Sequence, residues 1–245
     1  SRDFTINSIG FSFNDGKLID PANGIRDMND SLLRSFRDEN LLDDPLRILR
    51  CFRFVSELNF HIEPRILGFI ELNKFRLKTV SAERIQYELK RIVQGKEALK
   101  TVEFLNEIKI FDWTQSYENN HSNKLLHINF DNFLQDEIDQ FFPIAYLKEL
   151  LKEPVLTKFK FSKSHTFAIN SLRRWSEKLK EKSIMHFTET ERFELHKDLE
   201  MILPAFILYL PEVFHEEWLK RWRNKKDKLF HPRNFINGNQ LKTIV

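Results

Sequence analysis

Cysteine and glycine are scarce in this chain. A single cysteine, Cys51, among 245 residues excludes an intramolecular disulfide and suits a reducing compartment. We expect it to fill a core position, not to act as a nucleophile. Six glycines are too few for the turns of a loop-rich all-β fold. No charge of one sign dominates: 39 Lys and Arg stand against 36 Asp and Glu, a net +3, so any nucleic-acid-binding patch must be local. Long apolar runs are missing too. The longest, residues 201–210, contains Pro204 and falls far short of the roughly 20 residues that span a bilayer. A cytoplasmic protein with no membrane partner is the expectation. Eight histidines are scattered without ligand spacing, so no zinc site is expected.

Apolar residues at helical spacing are abundant. From about residue 27 the chain reads as helix: Ile48, Phe52 and Val55 recur at spacings of three and four, ended by Asn59 and Pro64. A second stripe runs through Ile66, Phe69, Ile70 and Phe75. Ser81 is placed to cap a third helix whose inner face is Ile85, Leu89 and Ile92 and which Gly95 stops. A fourth helix spans 96–108, and further helices are expected at about 131–152, 164–182, 188–201 and 212–225. Residues 114–124 are polar and unpatterned, an exposed loop. Before all this, Asn14-Asp15-Gly16 makes a turn ahead of Lys17-Leu18-Ile19, a short strand. Twenty-four phenylalanines call for extensive burial of rings. The fold class is therefore mainly α with a small β remnant.

Several segments carry chemistry-bearing side chains. In Arg2-Asp3-Phe4-Thr5-Ile6-Asn7, a guanidinium can fork onto phosphate oxygens while a carboxylate accepts from a ribose hydroxyl. Asp3 is equally suited to capping a short helix. Asp20-Pro21-Ala22-Asn23-Gly24-Ile25-Arg26-Asp27 is a turn or a joint, with Gly24 giving the backbone freedom. In the run Asp43-Asp44-Pro45-Leu46-Arg47-Ile48-Leu49-Arg50-Cys51-Phe52-Arg53-Phe54, Asp44 and Arg47 would share a helix face. A carboxylate accepts from an exocyclic amino group and a guanidinium donates to a ring nitrogen or carbonyl, so the pair can imitate a base-pairing edge. Cytosine and adenine offer that amino group. Uracil and guanine present a carbonyl there, and an unmade buried hydrogen bond costs about 1–3 kcal/mol. Asp44 before Pro45 also fits an N-cap with proline at the first helical position, and Asp43 could exchange roles with it. In Ser81-Ala82-Glu83-Arg84-Ile85-Gln86-Tyr87-Glu88, Arg84 and Glu88 can pair on the helix surface. Near the end, Lys220, Arg221, Arg223, Lys225, Lys226 and Lys228 face one opposing charge, Asp227, and interleave with Trp218 and Trp222. The cluster is either a grip for RNA phosphates or a solvated basic face.

These segments, in this order over roughly the first 95 residues, resemble class II tRNA nucleotidyltransferases and the related bacterial poly(A) polymerases. Phe235-Ile236-Asn237-Gly238-Asn239-Gln240-Leu241 is a later echo, similar to the opening of that family's tail. The resemblance implies the end of an α/β catalytic head (1–28), a neck (29–95), a helical body (96–226) and the start of an RNA-binding tail (227–245), in an elongated molecule. It implies that Arg2, Asp3 and Asn7 contact sugar and phosphates, Asp44 and Arg47 the base edge, and Arg50 phosphate. Asp43 stands where the family usually has Glu, one methylene longer. Glu83, Arg84 and Glu88 would brace the neck. The implied activity is template-independent addition of C or A nucleotides from CTP and ATP to the 3′ end of tRNA. The alternatives are poly(A) addition to other RNA 3′ ends or a non-catalytic helical RNA-binding module. The implied cofactor is Mg²⁺, held by an Asp-x-Asp pair expected upstream of Ser1, so that the intact parent is the enzyme and this part alone is inactive. The choice among CCA, CC, A and poly(A) addition stays open.

Overall fold

A computed structural model describes residues 3–37, 39–114 and 129–232. The sequence expectations at Arg2, in the loop segment beyond residue 114 and in the tail motif around Asn237 and Gly238 lie outside these described residues. The chain divides into two compact units: the first holds the described residues of 1–123 and 146–166, the second those of 124–145 and 167–245.

In the first unit, β1 (Gly10–Ser12) and β2 (Lys17–Ile19) form an antiparallel hairpin with Gly10 opposite Ile19. Gly16, at φ 60°, takes the left-handed turn position that the Asn-Asp-Gly sequence anticipated. Helix α1 (Gly24–Asn29) follows, then β3 (Leu32–Leu33), a one-turn α2 (Asn40–Asp43) and the long α3 (Leu46–Leu58). The short strand β4 (His61–Ile62) pairs in parallel with β3, a ladder with no sequence signal of its own. Next come α4 (Pro64–Asn73), a 3₁₀ segment Lys74–Thr79, α5 (Ala82–Val93) and α6 (Ala98–Glu107). Helix α7 (Gln135–Leu150) contributes residues to both units, α8 (Glu153–Lys158) belongs to the first, and α9 (Lys163–Glu181) again serves both.

Proline and asparagine set the bounds of α3. Pro45 disfavours the helical region for the residue before it, and Asp44 is extended at φ −140°. At the other end Asn59 turns left-handed at φ 57°. The helix packs on α5 and α6, burying Ile48, Leu49 and Phe52 together with Ile85, Leu89, Ile92 and Leu105. Phe52 meets Phe104 edge-on at 5.6 Å, and Phe4 meets Phe54 at 5.7 Å. The α3 and α5 backbones nearly touch at one point. Ser56 Oγ donates to the Ile92 carbonyl at 2.5 Å, and a Cβ on Gly95 would stand 2.6 Å from the Ser56 carbonyl. Gly95 is therefore needed for close approach.

In the second unit, α10 (Glu189–Leu199), α11 (Leu203–Ile207) and α12 (His215–Arg223) complete the helices. Thr188 and Glu191 form a reciprocal capping box: Glu191 N–H donates to Thr188 Oγ1 at 3.2 Å and Thr188 N–H to Glu191 Oε2 at 2.8 Å. Rings fill the interior, with Phe133 on Phe142 at 5.0 Å, Phe141 on Trp222 at 5.4 Å and Trp175 on Phe187 at 6.0 Å.

Helix expectations were met for α3 to α6, α7, α9, α10 and α12, whereas α8 and α11 have no counterpart among them. Both are short and begin beside a proline, Pro154 and Pro204, which marks a boundary as readily as a first helical turn. The burial of rings is less complete than their number implied. Phe11, Phe36, Phe75, Phe167 and Phe193 are exposed, and Phe13 is 91% exposed. Phe11 and Phe13 lie in and just after a three-residue strand, too small a surface to bury a ring on each side.

Candidate functional site

The first unit gathers the early motifs around the start of α3. Asp3 is buried, and its Oδ1 accepts from the Phe4 N–H at 3.0 Å and from Asn7 Nδ2 at 2.8 Å. Its Oδ2 lies 2.9 Å from Arg50 Nη2. Two segments that are 47 positions apart in sequence are thus joined by one carboxylate. Arg50 keeps its Nε buried without a hydrogen-bond partner among the described residues. Cys51, fully buried behind this cluster, has its thiol pushed far up by burial and then by the Asp3 charge, which removes it as a nucleophile.

Asp44 does not ride on the helix with Arg47, as its three-residue spacing had suggested. It stands just ahead of the helix, because Pro45 forces it out of the helical region. From there Oδ1 accepts from the Leu46 N–H at 3.3 Å and Oδ2 pairs with Arg84 Nη2 at 2.7 Å. Asp44 therefore caps the helix and also presents a carboxylate at its mouth. Arg47, in the first turn, donates from Nη1 to the Asn40 carbonyl at 2.8 Å. Asp43 ends α2 and is exposed.

The expected surface pair of Arg84 with Glu88 is replaced by three different bonds. Arg84 goes to Asp44, Glu83 goes to Lys160 Nζ at 2.5 Å, and Glu88 turns inward to Arg53 Nε at 2.9 Å. Arg53 also reaches Glu57 through Nη1 at 3.0 Å. The sequence reasoning missed Arg53. Its signal was present in the run Arg50-Cys51-Phe52-Arg53, where an arginine falls on the apolar side of an amphipathic helix. Burial holds the Glu88 carboxyl above its usual range despite the opposing pull of Arg53 and Arg50.

The Asp20 to Asp27 segment is a joint of specific construction. The Asp20 carboxylate accepts from the Gly24 N–H at 2.7 Å and the Ile25 N–H at 3.0 Å, capping α1. The left-handed residue is Asn23, at φ 57°, not Gly24. Glycine is required at 24 for space, since a Cβ there would lie 2.8 Å from the Thr5 carbonyl carbon. Asp27, buried, accepts from Thr5 Oγ1 at 2.6 Å and pairs with Arg34 Nε at 3.4 Å.

In the second unit, two of the six basic candidates are engaged internally. Arg221 forks onto Asp227 at 2.8 and 3.4 Å, and Arg223 forks onto Glu137 at 2.8 and 2.7 Å. The Asp227 carboxyl is held below its usual range by Arg221, and Arg223 is raised by Glu137. Lys220, Lys225, Lys226 and Lys228 are exposed, with Lys225 Nζ 4.2 Å from the Trp222 ring centroid. Trp222 itself is buried, its Nε1 donating to the Glu200 carbonyl at 2.8 Å, so it offers no open stacking face. Among the described residues no group of three or more His, Cys, Asp or Glu could hold a metal ion, and no helix is long and apolar enough to cross a membrane.

Comparison with known proteins matches residues 1–34 to the poly(A) polymerase head domain and residues 59–115 to the probable RNA- and SrmB-binding site of polymerase A. The CC-adding tRNA nucleotidyltransferase of Synechocystis is 28% identical over 98% of this chain and 64% of its own length. The mitochondrial CCA tRNA nucleotidyltransferase of Saccharomyces cerevisiae is 30% identical over 69% of this chain and 34% of its own. The chain thus spans less than two thirds of either relative. In fold it is similar to the Thermotoga maritima CCA-adding enzyme complexed with tRNA, with a TM-score of 0.69 at 21% identity over 99% of this chain and 63% of that one. By these matches the chain is similar, over its head and RNA-binding segments, to class II tRNA nucleotidyltransferases and bacterial poly(A) polymerases.

Proposed function

We propose that this chain supplies the nucleotide-selecting and RNA-holding parts of a nucleotidyltransferase that adds C or A nucleotides from CTP and ATP to the 3′ end of tRNA without a template. Its segments would serve as the end of a head, a neck, a body and the start of a tail, as divided above. The relatives' names favour tRNA over other RNA as the acceptor. The observation that carries the reading is the Asp3 carboxylate, which ties Asn7 and Arg50 together at the helix that also bears Arg47 and follows Asp44.

Each side chain has a distinct task in this proposal. Asp3 orients Asn7 and the Arg50 guanidinium, and with Arg2 these contact the sugar and phosphates. Asn40 fixes one nitrogen of Arg47, so the fork meets the base edge in a set orientation. Arg84 steers Asp44, whose carboxylate oxygens each have two lone pairs and can accept from the amino group of cytosine or adenine. Asp43, exposed at the end of α2, stands next to Asp44 in the chain. Mg²⁺ would neutralise the triphosphate and activate the RNA hydroxyl. The described residues offer no cluster for it, so the steps drawn from them are selection and positioning.

The test is binding of CTP, ATP, UTP and GTP followed by NMR shift changes in the wild-type chain and in Arg47→Ala. CTP and ATP should bind in preference to UTP and GTP, and the preference should collapse in the variant. Equal discrimination in both proteins would refute the base-reading role.

A further inference from the structure

The second unit contains a cavity of about 180 Å³ that none of the nucleotide-site residues lines. Its walls include Trp218, Phe230 and Phe214, and its polar lining Arg192, Glu217, His196 and Arg221, whose guanidinium lies 4.4 Å from the Phe230 ring centroid. Trp218 and Phe230 meet edge-on at 5.3 Å, and His196 lies 4.2 Å from the Phe230 ring. Burial and then the Arg221 charge lower the His196 imidazole to about 4, so at neutral pH it has one donor nitrogen and one acceptor. Its Nδ1 is buried without a hydrogen-bond partner among the described residues. Arg192 is held at the rim by the Met185 carbonyl at 3.1 Å.

Size and lining select the ligand. Sites for drug-sized molecules run to about 300–1,000 Å³, so this one suits a single planar ring system. Aromatic walls favour a π-face, and a carboxylate and a guanidinium on one lining favour a ring whose edge both donates and accepts. An aliphatic ligand would leave those polar groups unmatched. Outside the cavity, α12 carries the exposed Lys220 and is followed by the exposed Lys225 and Lys226, charges that can meet phosphates. We propose that the cavity receives one unstacked nucleobase of an RNA bound along the basic end of α12, stacked on the half-buried Trp218 and read at its edge by Glu217 and Arg192. This inference rests on the RNA-holding role proposed above. The Glu217 carboxylate accepts from an exocyclic amino group, so uracil is the disfavoured base.

The test uses a short single-stranded RNA carrying 2-aminopurine at each position in turn, together with its abasic counterparts. With the wild-type chain, 2-aminopurine should be quenched at one position, and the abasic RNA at that position should bind about 10-fold more weakly. Leu229→Trp, which fills the cavity, should abolish the quenching and bind both RNAs equally with an unchanged salt dependence. Trp218→Leu provides the same comparison should Leu229→Trp melt abnormally. RNA binding with quenching that survives both substitutions, or with no position sensitive to base removal, would overturn the cavity assignment and leave the RNA role standing. Absence of any RNA binding by the wild type would overturn both.

Discussion

Replacement of Glu88 by alanine should destabilise the first unit far more than a surface change would. Arg53 and Glu88 are 8% and 5% exposed and meet at 2.9 Å between α3 and α5. Removing one partner of a buried pair costs about 3–5 kcal/mol, because the remaining charge stays desolvated. Here Arg53 keeps Glu57 at 3.0 Å, which sets the expectation near the lower end, about 3 kcal/mol. With a urea m-value of about 1–3 kcal/mol per molar, the midpoint of the first unit's transition should fall by about 1 M or more. The double substitution Arg53→Met with Glu88→Leu should recover most of the loss, since an apolar pair of similar volume carries no desolvation penalty. A Glu88→Ala loss below about 1 kcal/mol would place the pair in the range of exposed salt bridges and refute the claim that burial makes it costly to break. A double variant no better than the single one would show instead that specific hydrogen bonding holds the two helices together.

Other outcomes follow from the same geometry. Gly95→Ala should destabilise by about 1–3 kcal/mol, as its Cβ would press on the Ser56 backbone, whereas Gly10→Ala, with open space around it, should change stability by about 0.5 kcal/mol or less; chemical denaturation compares the two. Asp20→Ala removes the acceptor of two N–H groups at the start of α1 and should cost about 0.5–2 kcal/mol, with faster amide exchange at Gly24 and Ile25. His196 is lowered from 6.5 to about 4 on folding, so its contribution is fully present above 6.5 and is lost as pH falls through the window between those values. Wild type should therefore lose about 3 kcal/mol more than His196→Phe on acidification across that window, read from paired denaturation curves. Converting Lys225 and Lys226 to glutamate should weaken RNA binding across all sequences and flatten its salt dependence by about 0.7 per lost phosphate contact, measured by titration at several salt concentrations.

Much of the architecture was legible in the residues. Periodicity located α3 and α5, Pro45 and Asn59 marked the ends of α3, and Asn14-Asp15-Gly16 announced the hairpin, because each of these signals acts through local backbone sterics. The order of motifs also pointed to the relatives that the chain is similar to, since each motif is a local run of residue types readable without the fold. Tertiary structure alone decided the partnerships. Nothing local told Glu88 to abandon Arg84 for Arg53, or Arg84 to reach Asp44 40 positions away, because an ion pair forms with whichever group packing brings near. The same holds for Arg221 and Arg223, which the composition offered as phosphate contacts and the fold committed to Asp227 and Glu137. Gly24 and Gly95 show the limit most clearly. A sequence suggests backbone freedom at a glycine, but only the packed neighbours, Thr5 and Ser56, reveal that what each position needs is the absence of a Cβ.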